Sequence, residues 1–216
     1  MKSKWLRKRN ILYLLIIAFI VFAIWYCSQL FLFDNFHVVI PDEIYRSAQM
    51  DTKDLQAYSS KYHIKTIINL RGAHPDDAWY RDEDAFTRSH DINHYNLALS
   101  AKIVPPVAKL KTLIHLIETS PKPVLIHCQG GADRTGLASA VAIILSGDSS
   151  VTDMEHQISW RYGALSPSTV GYQVMTDYLD YIQSKHQPYG EQSFLAWANQ
   201  VKVLAPHKGV FVRACW

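Results

Sequence analysis

The sequence predicts an α/β fold, with a mainly parallel central sheet flanked by helices and one transmembrane helix in front of it. Three observations lead there. Short apolar runs at residues 64–70 and 124–127 alternate with helix-length segments, the pattern of strands joined by helical crossovers. A Gly-rich stretch, Cys128-Gln129-Gly130-Gly131, joins one of these runs almost directly to a helix-like run at 137–145, making strand, loop and helix. The apolar run 11–27, extended through Ser28 and Gln29 to Phe33, follows a basic N-terminus and is long enough to cross a bilayer core, which takes about 20 residues.

Residues 40–46 read as the first strand, with Pro41-Asp42 close by. Residues 52–61 read as a helix capped by Asp51, whose carboxylate suits the N-cap position. A buried strand follows at 64–70, then a helix at 79–90 and an extended segment at 92–97. Residues 105–119 are helical by pattern, and 124–127 form the strand that leads into the Gly-rich loop. Three more helical segments are expected at 137–145, 151–162 and 169–185, and another at 191–201. A mainly parallel sheet places a ligand outside the carboxyl ends of its strands.

Composition narrows the function. The chain of 216 residues is 49% hydrophobic, enough for one α/β domain and a membrane element. Its net charge of +3 comes from the N-terminus: Lys2, Lys4, Arg7, Lys8 and Arg9 are five of the 22 basic residues, leaving 17 against 19 acidic ones, a net of −2. No nucleic-acid partner is expected from such a balance. Basic residues stay on the cytoplasmic side, so the N-terminus is expected in the cytoplasm and the domain outside it. A cleaved signal is disfavoured by Trp25 and Tyr26, which leave no small-residue cleavage site before Cys27. The three cysteines, Cys27, Cys128 and Cys215, make no disulfide framework, and Cys215 reads as a tail residue.

The loop carries the chemistry. Successive backbone N–H groups at a helix N-terminus form a nest for an anion such as phosphate. The same field favours a thiolate on Cys128, whose free pKa of about 8.5 falls to roughly 3.5–7.5 in such surroundings. Arg134 can bind two phosphate oxygens through its planar fork. Thr135 is suited to hydrogen-bond the sulfur. Gly130 and Gly131 keep side chains out of the space an oxyanion would enter.

The string His127-Cys128-Gln129-Gly130-Gly131-Ala132-Asp133-Arg134-Thr135 fits H-C-x-x-G-x-x-R-T and resembles the cysteine-based protein tyrosine phosphatases, in their compact dual-specificity-like branch. Tyr45-Arg46-Ser47-Ala48-Gln49, the run from Ile67 to Gly72, and Arg161-Tyr162-Gly163 are similar to bacterial members of that branch. The resemblance covers roughly residues 37–185. It implies a dual-specificity phosphatase-like fold, a phosphocysteine intermediate on Cys128, and phosphate held by Gln129, Gly130, Gly131, Ala132, Asp133 and Arg134. His127 and Thr135 are expected to support the thiolate. The implied organisation is a basic cytoplasmic segment at 1–10, a signal-anchor span at 11–33, a phosphatase domain at 34–187 and a C-terminal extension at 188–216. No metal and no cofactor is expected. The expected partners are a phosphoprotein or a small phosphomonoester, and the membrane through the N-terminal helix.

The family's general acid usually comes from a separate loop before the cysteine, and residues 97–104 contain no acidic residue. Asp133 is one candidate, although Arg134 beside it should stabilise the carboxylate. Asp76 and Asp77 share the remainder, and Asp91 lies before the preceding strand. A missing acid leaves a binding-only pseudophosphatase as an alternative, and the loop's likeness to lipid phosphatases leaves a lipid or small-molecule substrate open. The variable positions Gln129, Gly131 and Ala132 are uncharged, favouring a monophosphate over a polyanion, with phosphotyrosine on a protein the leading expectation. Arg71, His74, Asp76, Asp77, Trp79 and Tyr80 form either a substrate-facing rim or a solvated loop. Arg161 reads as a surface cation, and His90 with His94 as a surface pair rather than a zinc site.

Overall fold

The computed structural model describes residues 2–165 and 169–204, with side chains from Lys8 onward. Five strands form one sheet in the order β1-β2-β5-β3-β4: β1 (His37–Ile40), β2 (Ile44–Ser47), β3 (Thr66–Asn69), β4 (Asn93–Asn96) and β5 (Val124–His127). Strands β2, β5, β3 and β4 run parallel, and β1 is an antiparallel edge. The first strand expected at 40–46 is instead a hairpin. Asp42 takes a left-handed φ of 60° just after Pro41, which turns the chain back on itself.

Side chains alternate across the sheet, so the three inner strands β2, β5 and β3 each feed two cores. Ile44, Ile68, Val124 and Ile126 face α4 (Val107–Thr119), α5 (Asp133–Leu145), α7 (Val170–Ser184) and α8 (Glu191–Gln200). Tyr45, Ile67 and Leu125 face the other way, onto Leu55 of α2 (Thr52–Tyr62) and Phe86 of α3 (Ala78–Ser89). Strand β5, paired on both sides, is fully buried, which fixes the position of whatever follows it. Helix α8 buries Phe194 and Trp197 in the larger core, so the segment set apart at residue 188 shares the domain's packing as far as Leu204. Cys215 lies outside the described residues.

Two helices differ from expectation. Helix α5 starts at Asp133 rather than at 137, placing Asp133, Arg134 and Thr135 in its first turn. The segment 151–162 is broken into α6 (Val151–His156) and a 3₁₀ turn, Trp160–Tyr162, because the carbonyl of Gln157 turns out of the helix to accept a bond from Arg46 Nη1 at 2.7 Å.

The N-terminal helix α1 (Lys2–Phe31) includes a stretch, Lys8–Phe31, long and apolar enough to cross a membrane, with mean hydropathy 2.5. From Ile11 to Phe22 its side chains are exposed, whereas Tyr26 and Leu30 are partly covered by the domain. The turn after it is tight: Asp34 and Asn35 both take left-handed φ, and Asn35 N–H returns to the Gln29 carbonyl at 2.9 Å.

Candidate active site

Strand β5 ends at His127, and Cys128 follows at the carboxyl edge of the sheet, 3% exposed and unpaired. Five residues later α5 begins, with its N-terminus and its partial positive charge at the loop. What shapes the loop is the fate of its carbonyls. The Gln129 carbonyl accepts from Gln49 N–H at 3.2 Å, Gly130 from Asn35 Nδ2 at 3.0 Å, Gly131 from Arg46 Nη2 at 2.8 Å, and Ala132 from Gly136 N–H at 2.7 Å. In a planar trans peptide the N–H points opposite to the carbonyl. Three carbonyls held by the surrounding scaffold, and a fourth by the first turn of α5, therefore turn the N–H groups of Gly130, Gly131, Ala132 and Asp133 the opposite way, as an anion nest requires.

Gly131 is required by this arrangement twice over. Its φ is +67°, and a Cβ there would sit 2.8 Å from the backbone of Ser47 and Ala48. Arg46, fully buried, is the post against which the loop is tied. Its guanidinium also binds the Gln157 carbonyl and Oε1 and lies 3.8 Å over the Tyr162 ring. Burial lowers its pKa to about 10, still cationic at neutral pH.

Arg134 is half-buried beside the loop. Its Nη1 reaches the Leu99 carbonyl at 3.5 Å, and its Nε has no hydrogen-bond partner among the described residues, so most of the fork is uncommitted within the protein. Thr135 Oγ1 is buried and makes no hydrogen bond among the described residues, to the Cys128 sulfur or elsewhere. Burial raises the Asp133 pKa from its ordinary value, outweighing the pull of Arg134 and of its own backbone N–H. The expectation that Arg134 would dominate that balance is thus reversed.

Behind the cysteine lies a buried group that sequence reasoning missed. Glu83 of α3, 4% exposed, accepts from His94 Nε2 at 2.9 Å and from Gln49 Nε2 at 2.7 Å, and lies 3.1 Å from His127 Nε2. Burial alone would raise its pKa, but the His127 charge and the bonds from His127, His94 and Gln49 hold it well below the usual range. His94 is therefore no surface residue: its side chain is 8% exposed and belongs to this network, while His90 stacks on Phe86. Among the described residues no group of three His, Cys, Asp or Glu side chains is placed to hold a metal ion.

The rim is built as well. Arg71 lies 3.4 Å over Trp79, is bonded by its Nη1 to Gln49 Oε1 at 3.1 Å, and feels both Arg134 and Cys128, so a second guanidinium faces the loop. Burial, then repulsion from Arg134, lowers its pKa. Asp77 starts α3 and accepts from Trp79 Nε1 at 3.0 Å, and Asp76 is exposed. Asp91 precedes β4, which runs parallel to β3, so it lies at the edge of the sheet opposite to Cys128. Tyr162, not Arg161, supports the site, by facing Arg46. Asn35, Glu83 and Gln157 carried no recognisable signal in the sequence.

A family model described as the tyrosine phosphatase family matches residues 33–152, just over half of the chain. Solved structures share the fold. The core catalytic domain of the PP-IP phosphatase Siw14 from S. cerevisiae aligns with a TM-score of 0.55 at 22% identity, over 70% of this chain and 92% of that one. PTPMT1 aligns with a TM-score of 0.54 at 13% identity, over 70% of this chain and 98% of that one. A mutant form of Tk-PTP aligns at 0.52 and 16% identity, over 70% and 95%.

Proposed function

The chain belongs to the tyrosine phosphatase family of cysteine-based phosphatases, and from that membership we propose that it hydrolyses phosphomonoesters through a phosphocysteine intermediate, with protein phosphotyrosine as its leading substrate. One observation carries the reading: the carbonyls of Gln129, Gly130 and Gly131 are tied to the scaffold and that of Ala132 to the first turn of α5, leaving N–H groups, a thiol and a guanidinium to face one phosphoryl group.

The phosphate oxygens lie on the N–H groups of Gly130 to Asp133 and on the fork of Arg134, both preset for the charge of the transition state. The Cys128 thiolate attacks phosphorus, the bond to the ester oxygen breaks, and Asp133 gives that oxygen its proton. Water then attacks the phosphocysteine, the P–S bond breaks, the thiolate is released, and the Asp133 carboxylate takes the water's proton. Burial of Asp133 favours the protonated form needed in the first step. His127, held by Glu83, supports the thiolate from the end of β5, and the uncommitted Thr135 hydroxyl rotates to donate to it once it forms. Two guanidiniums, Arg134 and Arg71, match the double negative charge of a monoester, and an uncharged Gln129, Gly131 and Ala132 add none for a polyanion.

The apolar helix anchors the protein in a membrane with residues 1–10 in the cytoplasm and the phosphatase domain, from residue 34, outside it. The reading is tested with the detergent-solubilised full chain and an aryl phosphate. Wild type is expected to release phosphate and to keep doing so in EDTA, and Arg134→Lys to lose at least about a hundredfold, since a point charge cannot reproduce a bidentate clamp. A wild-type chain that binds phosphate without turnover is instead the binding-only protein.

A further inference from the structure

The edge of the domain at Trp160–Gly163 is attached to the apolar helix far below the point where that helix ends. The Tyr26 hydroxyl donates to the Trp160 carbonyl at 2.6 Å. The Trp160 ring lies 5.9 Å from Tyr26 and 6.1 Å from Phe22, and the Leu30 methyls stand 3.7 and 3.9 Å from where a Cβ on Gly163 would be. Phe22, Tyr26 and Leu30 lie on one face of α1, at steps of four residues, and that face is where the domain rests.

Counted from Ile11, the first residue after the basic segment, a bilayer core of about 30 Å takes about 20 residues and ends near Leu30. At 1.5 Å per residue, Tyr26 and Phe22 then lie about 6 and 12 Å inside that boundary. A side chain packed between them cannot stand clear of the lipid. Trp160 is nevertheless 56% exposed, and Leu165 close by is 76% exposed. Arg161 beside the indole is an exposed cation on a side chain long enough to extend outward to the lipid phosphates.

We propose that this edge is a bilayer-contacting surface, with the Trp160 indole inserted just inside the interface beside Tyr26 and Phe22 and Arg161 reaching out to the headgroups. Tryptophan and tyrosine favour that depth. The proposal rests on the reading of α1 as a span, and commits to the lipid of the membrane that α1 crosses. Its consequence for the enzyme is fixed geometry rather than a tether. A Cβ on Gly163 would lie 3.7 Å from that of Ala132, so the phosphate loop backs onto the seated edge and is held close to the membrane surface.

The test uses the full chain in lipid nanodiscs. A nitroxide is placed on Trp160→Cys, with Cys27, Cys128 and Cys215 changed to Ser, and on Arg88→Cys as an exposed reference. The ratio of collisions with oxygen to collisions with a nickel chelate is expected to be several-fold higher at 160 than at 88. Equal ratios, or a label at 160 shielded from both reagents as in a protein contact, overturn the proposal. Without any cysteine change, tryptophan quenching by lipids brominated near the headgroup is expected to fall in Trp160→Phe relative to wild type, and an unchanged quench overturns it as well. Alkaline carbonate extraction separates the two readings. A chain that stays in the membrane with a water-exposed position 160 refutes the seating alone, and a chain that is extracted refutes the span.

Discussion

Asn35 Nδ2 stands 3.0 Å from the Gly130 carbonyl and 2.9 Å from the Tyr162 carbonyl, while its own N–H is bonded to Gln29 of the apolar helix. One fully buried residue thus joins the end of the helix, the phosphate loop and the 3₁₀ turn. Asn35→Asp keeps the shape and removes both donors. It is expected to lower kcat about tenfold or more, because misplacing the loop costs transition-state contacts. Stability should fall by about 1–3 kcal/mol, chiefly for the buried Tyr162 carbonyl left unpaired. Steady-state kinetics and thermal melting check this, and unchanged kcat with lowered stability would make Asn35 a structural residue only.

Arg46 is the heavier post. Arg46→Met fills much of the volume but strands the Gly131 carbonyl, the Gln157 carbonyl and Gln157 Oε1. A loss of at least about 3 kcal/mol is expected, since hydrogen bonds to charged groups are worth about 1.5–3 kcal/mol each and their partners stay buried. Chemical denaturation measures it.

Glu83 gives the fold an acid-sensitive point. Its pKa is depressed in the folded state, so its contribution is present above the ordinary carboxylate pKa and is lost as pH falls below that value towards the folded one. Wild type is expected to lose stability steadily below about pH 4.5, and Glu83→Gln to show a flatter profile from a lower starting stability. Parallel profiles for the two would assign the acid sensitivity to other groups.

The role of Asp133 is legible in leaving groups. With its pKa raised by burial, the protonated form persists to higher pH than for a free carboxylate, and the rate should fall as pH rises through that pKa. Asp133→Asn is expected to slow phosphotyrosine or alkyl phosphates much more than an activated aryl phosphate, and to remove the descending alkaline limb for the former. Equal slowing of both classes would leave Asp133 orienting Arg134, and Asp76 and Asp77 would be the next acids to change.

Orientation in the membrane is tested by fusion. A reporter active only outside the cytoplasm should work when joined after Trp216, with the protein resisting a high-salt wash. Activity of a cytoplasmic reporter there would invert the topology, and a shortened soluble product would show cleavage.

What the sequence disclosed, and what it hid, divides by range of interaction. Strand β5 was legible to the residue, because a buried parallel strand is a continuous apolar run and Cys128 follows it immediately. The start of α5 was not: Ala132 offers no capping side chain, and Gly136 imitates a boundary inside the first turn. The motif displayed Cys128 and Arg134, which face the reacting group, but not the residues that shape the loop from behind. Asn35 and Gly130 are 95 positions apart, and Glu83 and His127 are 44 apart. Such pairs leave no periodic or local trace. A lone Asn after an apolar helix and a Glu inside an amphipathic one look like surface residues until the sheet brings them under the loop.

The central claim is that phosphate passes through a covalent bond to Cys128. The direct measurement is to quench the full chain in acid during turnover of a phosphomonoester and locate phosphate on its peptides by mass spectrometry. The account predicts phosphate on the peptide holding Cys128, accumulating further with an activated aryl phosphate when Asp133→Asn slows release, and neither label nor turnover in Cys128→Ser. Turnover retained in Cys128→Ser, or steady hydrolysis by wild type with no phosphate ever found on Cys128, would contradict it.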